Sequence, residues 1–376
     1  MEPQKALLTD INALTALTDE AVELLKQLIA TPRISRAETE AADLLERFMK
    51  ARGLKTQREA NNLWVIADGF EPQRPTLLLN AHIDTVKPVS AWTRDPHKPT
   101  LEGDRLYGLG SNDDGASLVS LLQVFRVLIQ RPQTYNLIFL ASAEEEVSGS
   151  NGIERTLPLL PPIDVALVGE PTRMQPAIAE KGLMVIDVTA HGRAGHAARN
   201  EGDNAIYHAL DDIAWVRAYH FPKHSPLLGP VKMTATIIQA GTQHNVIPDT
   251  CTFTIDVRSN ECYSNEELFQ TISNHLQSEA RVRSLRLNSS RIGIDHPLVQ
   301  RAVSLPPTPD GQPRTPFGSP TLSDQALMRC PSLKMGPGDS ARSHTADEYI
   351  CISELRDAIR DYLVMLDGMN LQPVNS

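Results

Sequence analysis

Two rhythms of apolar residues divide the chain. Over Glu20–Ile29 and Ala37–Met49 apolar positions recur at helical spacing, with Ala41, Leu44, Leu45 and Phe48 forming one stripe. The spacing predicts two helices. Asp19 caps the first and Pro32 stops it; Gly53 ends the second. From Asn61 the pattern shortens. Leu63–Ala67, Thr76–Ala81, Asn136–Ala141 and Val165–Val168 are short apolar runs that read as buried strands. Ala116–Ile129 is apolar at helical spacing and falls between two of them. Strands alternating with helices imply an α/β fold: a mostly parallel, mixed sheet flanked by helices.

A second pattern follows. It reads strand Leu183–His191, helix Asn204–Ala218, strand Val231–Gln239, strand Thr250–Arg258, helix Asn265–Glu279, strand Val282–Asn288. The order βαββαβ is a ferredoxin-like α+β arrangement. It is self-contained, so the sequence predicts an inserted domain over 179–288. The larger domain is then discontinuous, 1–178 and 289–376. Pro171 and Pro176 bracket the entry, and the exit lies near Ser289–His296. A Pro-rich stretch, a short apolar strand around Leu333 and a helix Ser353–Leu366 complete the larger domain.

Composition narrows the function. The net charge is −10, which argues against a nucleic-acid footprint because that needs a basic face. No apolar run approaches the ~18 residues of a membrane span. The opening MEPQKALLTD has no basic region followed by an apolar one, so no secretory signal is visible and a cytoplasmic protein is expected. The four cysteines, Cys251, Cys262, Cys330 and Cys351, have no CxxC spacing and read as reduced thiols. With 11 His available, a bound transition metal would take imidazole and carboxylate ligands.

Sites in α/β sheets lie beyond the carboxyl ends of the strands. After Thr76–Ala81 come His82 and Asp84, a spacing that suits a metal-ligating imidazole oriented by a carboxylate. Gly108–Gly115 reads GLGSNDDG and opens a helix. It lacks the third glycine of a dinucleotide fingerprint, and two acids stand where a pyrophosphate would lie. Those acids either satisfy a helix dipole or include a bridge between metals. After Asn136–Ala141 come Glu144, Glu145 and Glu146, whose mutual repulsion a solvated loop or a divalent cation would relieve. A straight strand would send Glu145 and Glu146 to opposite faces, so the chain must turn for both to reach one site. Glu170 follows Val165–Val168, and His344 precedes Asp347 and Glu348. Four strand ends bearing His or carboxylate, joined by a late His, favour a metal site over independent loops.

These segments resemble, in order, those of the di-zinc aminoacylase and carboxypeptidase family that includes acetylornithine deacetylase and succinyl-diaminopimelate desuccinylase. The likeness runs from about Ser35 to about Leu366 through LLLNAHIDTV, GLGSND, SAEEEVSGSNG, VGEPT, GRAGHAARNEGDNAI, NVIPD, DVR and SHTADEY. It implies two zinc ions, with cobalt or manganese as substitutes. His82 would bind one zinc, with Asp84 orienting it. Asp113 would bridge the two, Glu170 would complete the first, and Glu146 with His344 the second. Glu145 would be the general base. His196 would stabilise the oxyanion in the neighbouring subunit of a homodimer formed through the inserted domain. Asn245 and Arg258 would contact the substrate, Arg258 by a bidentate grip on a carboxylate.

The resemblance implies hydrolysis of an N-acyl amino acid, nearest to N-acetylornithine in arginine biosynthesis. On that reading the acyl group would be acetyl or succinyl, and the amine ornithine, citrulline or lysine-like. Two readings stand beside it: a dipeptidase or carboxypeptidase with the same centre, and a non-catalytic dimeric binding module with structural acids. Two departures bear on this. Asp114-Gly115-Ala116 replaces the usual lysine and glycine after the bridging Asp. Ser319–Asp324 replaces the usual Gly-Thr-Asp element and is expected to line the acyl or side-chain pocket.

Overall fold

The first helical stripe extends further back than its cap suggests. In the computed structural model, which describes residues 11–199 and 201–371, helix α1 runs Ile11–Ala30. Asp19 lies inside it, because Leu14 and Leu17 continue the apolar face and dock on the same core. The opening ten residues, read above for a leader, lie outside the described residues. The chain continues through α2 (Thr39–Lys50), β1 (Gln57–Glu59), β2 (Asn62–Ile66), β3 (Thr76–His82), α3 (Ala116–Leu128), β4 (Asn136–Ser142), β5 (Val165–Val168) and β6 (Ala177–Glu180). Next come β7 (Gly182–His191), α4 (Ala205–Ala218), β8 (Lys232–Ala240), β9 (Thr250–Ser259), α5 (Asn265–His275) and β10 (Glu279–Val282). The closing elements are α6 (Pro297–Val303), β11 (Ser332–Lys334) and α7 (Ile352–Leu366).

Backbone contacts divide these elements into two compact units. The first holds the chain through Ile178, then Ile292–Phe317 and Ser323 onward. The second holds Ala179–Arg291 and Gly318–Leu322.

The first unit is built on a sheet of order β1-β2-β4-β3-β5-β11-β6. Strands β3, β4, β5 and β11 are mutually parallel, while β1, β2 and β6 pair antiparallel. Alternation along the strands fills both faces. Leu77, Leu79, Leu137 and Phe139 join the core with α1, α2, α3 and α7. Leu78, Ile138 and Leu140 join a smaller cluster with Trp64 and Ile153. A sheet covered on both sides is the expected α/β layer, and the parallel strands deliver their carboxyl ends to one edge.

The second unit carries β7-α4-β8-β9-α5-β10 as a four-stranded antiparallel sheet of order β8-β9-β7-β10. One boundary differs from the periodicity. Helix α5 stops at His275 because the Asp212 carboxylate accepts the N–H groups of Gln277 (2.8 Å) and Ser278 (3.1 Å). The last strand therefore starts early, at Glu279. Leu285 and Leu287 instead offer their carbonyls to the Asn265 side chain, at 3.2 and 2.8 Å.

Candidate metal centre

His82 is the last residue of β3, so it stands at the carboxyl edge by strand geometry alone. Its Nδ1 lies 3.0 Å from the Asp84 carbonyl and 3.4 Å from the Asp84 carboxylate. In the neutral imidazole Nδ1 then carries the hydrogen, and Nε2 presents its lone pair outward. Nε2 lies 3.2 Å from Asp113 and 3.9 Å from Glu145.

Asp113 and Asp114 sit in an irregular turn, Ser111–Gly115, ahead of α3, and the peptide between them is cis. The two carboxylates part company there. Asp113 faces His82 Nε2, whereas Asp114 is buried and accepts the backbone N–H of His82 at 3.3 Å.

The three glutamates separate because the chain turns at Glu144. That residue takes φ 55°, and a single turn of 3₁₀ helix follows over Glu145–Val147. The Glu144 carboxylate leaves the site to accept from Asn151 Nδ2 at 3.1 Å. The N–H groups of Glu145 and Glu146 donate to the two Asp84 oxygens at 3.0 and 3.1 Å. Asp84 also accepts from the Ser35 hydroxyl at 2.6 Å, so one carboxylate couples His82 to the acidic turn. His344 completes the set. Its Nε2 lies 2.8 Å from Glu146 and 3.8 Å from Asp113. It holds φ 59°, a left-handed conformation that costs a non-glycine residue on the order of 1 kcal/mol.

Two groups of donor atoms lie within 4.8 Å of one another: His82 with Glu145 and Glu170, and His82 with Asp113 and Glu146. The electrostatics match this crowding. Burial raises the Glu145 carboxyl well above its usual range; His82 opposes the rise, and the charges of Glu170, Asp324 and Glu146 add to it. Burial would lower His82, but the carboxylates of Asp113 and Asp84 outweigh it and hold the imidazole well above its usual value. His344 is raised to about 9, chiefly by its hydrogen bond to Glu146. So many acids in one buried place call for cations, and the nitrogen-and-oxygen donor set suits zinc, cobalt or manganese.

Some participants were not foreseen. Asp324, the last residue of the Ser319–Asp324 departure, accepts from the Ser142 hydroxyl at 2.5 Å and is raised to about 6, first by burial. Its charge bears on His82 and Glu145, so this segment ends at the metal set. Lys334, at the end of β11, places Nζ 3.8 Å from Glu170. Its signal was a lysine closing a short apolar strand. Arg33 and Glu348 are also buried near these acids.

The remaining three candidates lie in the second unit. His196 stands on a two-residue strand paired with Val246–Ile247, and Ala197 N–H donates to the Asn245 carbonyl at 3.0 Å. His196 and Asn245 are therefore neighbours. Arg258, on β9, contacts Asp256 through Nε (2.9 Å) and Nη2 (3.2 Å).

The profile of peptidase family M20/M25/M40 matches residues 78–367, more than half of the chain. An acetylornithine deacetylase of Pectobacterium carotovorum is 29% identical over 362 residues, covering 88% of this chain and 92% of the relative. A putative succinyl-diaminopimelate desuccinylase of Mycobacterium tuberculosis is 28% identical over 360 residues, covering 92% and 99%. Among solved structures, a tripeptidase of Staphylococcus aureus superposes with a TM-score of 0.73 at 20% identity, covering 93% and 98% of the two chains. A dinuclear metal-binding M20 peptidase of Bacillus subtilis gives 0.70 at 16% identity, covering 94% and 98%.

Proposed function

We infer the reaction from one premise: the chain belongs to peptidase family M20/M25/M40 and is an amidohydrolase of that family. The reading we propose is hydrolysis of the amide of an N-acyl amino acid, with N-acetylornithine the preferred substrate and arginine biosynthesis the setting. Acetate, or succinate from a succinylated analogue, leaves with the free amino acid. The observation that carries it is the gathering of His82, Asp113, Glu145, Glu146, Glu170 and His344 at one sheet edge, in a chain similar to a deacetylase and a desuccinylase over most of its length.

His82, Asp113 and Glu170 would hold one zinc ion; Asp113, Glu146 and His344 would hold the other. The ions would supply Lewis acidity, stabilising charge at the scissile carbonyl and acidifying the attacking water. Glu145 takes the proton from that water. It then returns that proton to the leaving amine. Asp84 does not touch the reacting atoms; it fixes the His82 ring and the Glu145–Glu146 turn. His196 stabilises the oxyanion from the neighbouring subunit, and Asn245 and Arg258 receive the amino-acid portion.

The neighbouring subunit is a second copy of this chain. β8 is an edge strand of the second unit's sheet, with Ile237 and Ile238 about half exposed. An apolar edge with unpaired backbone groups is a template for pairing with another strand. A cytoplasmic setting accords with four free cysteines, and among the described residues no helix is long and apolar enough to cross a membrane.

A substrate panel tests the reading. Zinc-loaded protein is given N-acetylornithine, N-acetylcitrulline, their N-succinyl analogues and dipeptides, and free α-amine is measured. Release from an acyl amino acid, fastest from N-acetylornithine, is expected. Cleavage of dipeptides alone would replace this reading with the dipeptidase one, and no cleavage of any would remove both.

A further inference from the structure

Arg33, between α1 and α2, is 1% exposed. Its Nη1 donates to the carbonyl of Ile83 (2.5 Å), the residue between His82 and Asp84. Its Nη2 donates to the carbonyl of Gly110 (2.7 Å), in the turn that leads to Asp113. One planar fork thus joins the end of β3 to the turn bearing the proposed bridging carboxylate. Gly110 is shaped for this contact: it has φ 71°, and a Cβ there would stand 2.4 Å from Arg33 Nη2.

Glu348, 2% exposed, grips the same turn. One of its oxygens accepts the N–H of Gly110 at 3.0 Å. The other accepts the N–H groups of Asn112 at 2.8 Å and Asp113 at 2.9 Å. Its own carbonyl accepts the N–H of Gly108 at 3.0 Å. Three backbone donors on one carboxylate leave the turn little freedom.

Burying a guanidinium is costly unless charges and hydrogen bonds offset it, and Arg33 Nε finds no acceptor among the described residues. Burial still lowers the Arg33 guanidinium below its ordinary value, and Glu348, Asp84, Asp114 and Asp113, all of which attract it, offset part of that cost. The cation lies among acids of the metal set and contacts two of the segments that supply ligands, the end of β3 and the turn before Asp113.

We propose that Arg33 and Glu348 are positioning residues of the metal centre, clamping the Gly110–Asp113 turn against the end of β3 and so setting the Asp113 carboxylate relative to His82 Nε2. The proposal rests on the metal-centre reading above.

The test compares full-length Arg33→Met, Arg33→Lys and Glu348→Gln with the parent. Each metal-free protein is titrated with cobalt(II) against a chromophoric chelator. Then kcat and KM are measured at saturating metal on the substrate the parent hydrolyses, with melting curves alongside. Arg33→Met and Glu348→Gln should weaken cobalt binding and lower kcat by about 10–100-fold, as lost support of metal ligands does, with KM nearly unchanged. Arg33→Lys keeps the charge but not the fork and should fall between. Parent-like cobalt affinity and kcat with only a lower melting temperature would overturn the proposal. If Arg33→Met does not fold, Glu348→Gln and Arg33→Lys decide it on the same readouts. A parent that binds no cobalt overturns the metal-centre reading and the proposal together; a parent that binds it while the variants match it overturns the proposal alone.

Discussion

In the first unit, Arg33, Asp84, Asp114, Asp324 and Glu348 are buried side chains that converge near the carboxyl ends of parallel strands. In the second unit, Asp187 pairs with Arg283 and Arg258 with Asp256, all at partly exposed positions. It also exposes apolar side chains on the edge strand β8, Ile237 and Ile238 among them. The contrast separates chemistry from assembly. Buried, crowded acids are unfavourable until something cationic joins them, so they are where the proposed reaction centre lies. An exposed apolar edge is unfavourable until another strand covers it, so it is where the proposed pairing of two copies would form.

The largest test removes the proposed base. Glu145→Ala should retain its metal, because the remaining donors stay in place, yet lose about 10²–10⁴-fold in turnover. Metal content and kcat measured together decide this. Unchanged turnover would detach the crowded acids from catalysis and collapse the contrast.

A buried ion pair away from the metal set tests stability alone. Arg314 Nη2 lies 2.6 Å from Asp361, and both side chains are almost wholly enclosed, at 2% and 1% exposure. Arg314 also donates to the carbonyls of Met174 (2.9 Å) and Pro306 (3.0 Å). Arg314→Met removes a donor from the Met174 and Pro306 carbonyls and leaves Asp361 with Arg360 alone (2.8 Å), so denaturation should show a loss of about 2–3 kcal/mol. A loss under about 1 kcal/mol would mean that burial in the first unit does not make its charges interdependent.

Much of this was readable in advance. Strand ends bearing His or carboxylate pointed to a metal site, but His82, Asp113, Glu146, Glu170 and His344 were singled out as its ligands by the family resemblance, because spacing alone does not choose between Asp113 and Asp114 or among Glu144, Glu145 and Glu146. Strand alternation called for a turn there if Glu145 and Glu146 were both to reach one site, and the turn falls at Glu144. What could not be read are contacts between distant positions. Arg33 follows a helix and looks like a solvated arginine. Only the folded chain brings it to Ile83 and Gly110. Asp324 was placed in a substrate pocket by its segment, yet it hydrogen-bonds to Ser142 at the end of β4. The early end of α5 likewise depends on Asp212, a residue of α4, which no local pattern reveals.

The apolar edge gives a smaller effect. Ile238→Lys puts a charge on an edge strand that now exposes an isoleucine. Self-association should weaken at least about tenfold, or about 1.4 kcal/mol, in sedimentation experiments, with the melting temperature preserved. A parent that sediments as a monomer at every concentration would show that this edge serves no pairing.

The smallest effect belongs to the surface pair. Arg283 Nε and Nη2 contact Asp187 at 2.7 and 2.8 Å, with the two side chains 56% and 43% exposed. The hydrogen bond to Arg283 lowers the Asp187 carboxyl from its ordinary 3.8; partial burial opposes this and Thr254 assists. A depressed carboxyl contributes stability that is fully present above its unfolded value and disappears as pH falls through its folded one. Asp187→Asn should therefore differ from the parent most above pH 3.8 and converge with it as pH falls through the lower folded value, and only slightly throughout, because water and salt screen an exposed pair. Melting curves at pH 7 in low and high salt measure this. A loss as large as that of Arg314→Met, unaffected by salt, would mean that the second unit also relies on its charges for stability, and the contrast between the two units would fail where it is easiest to check.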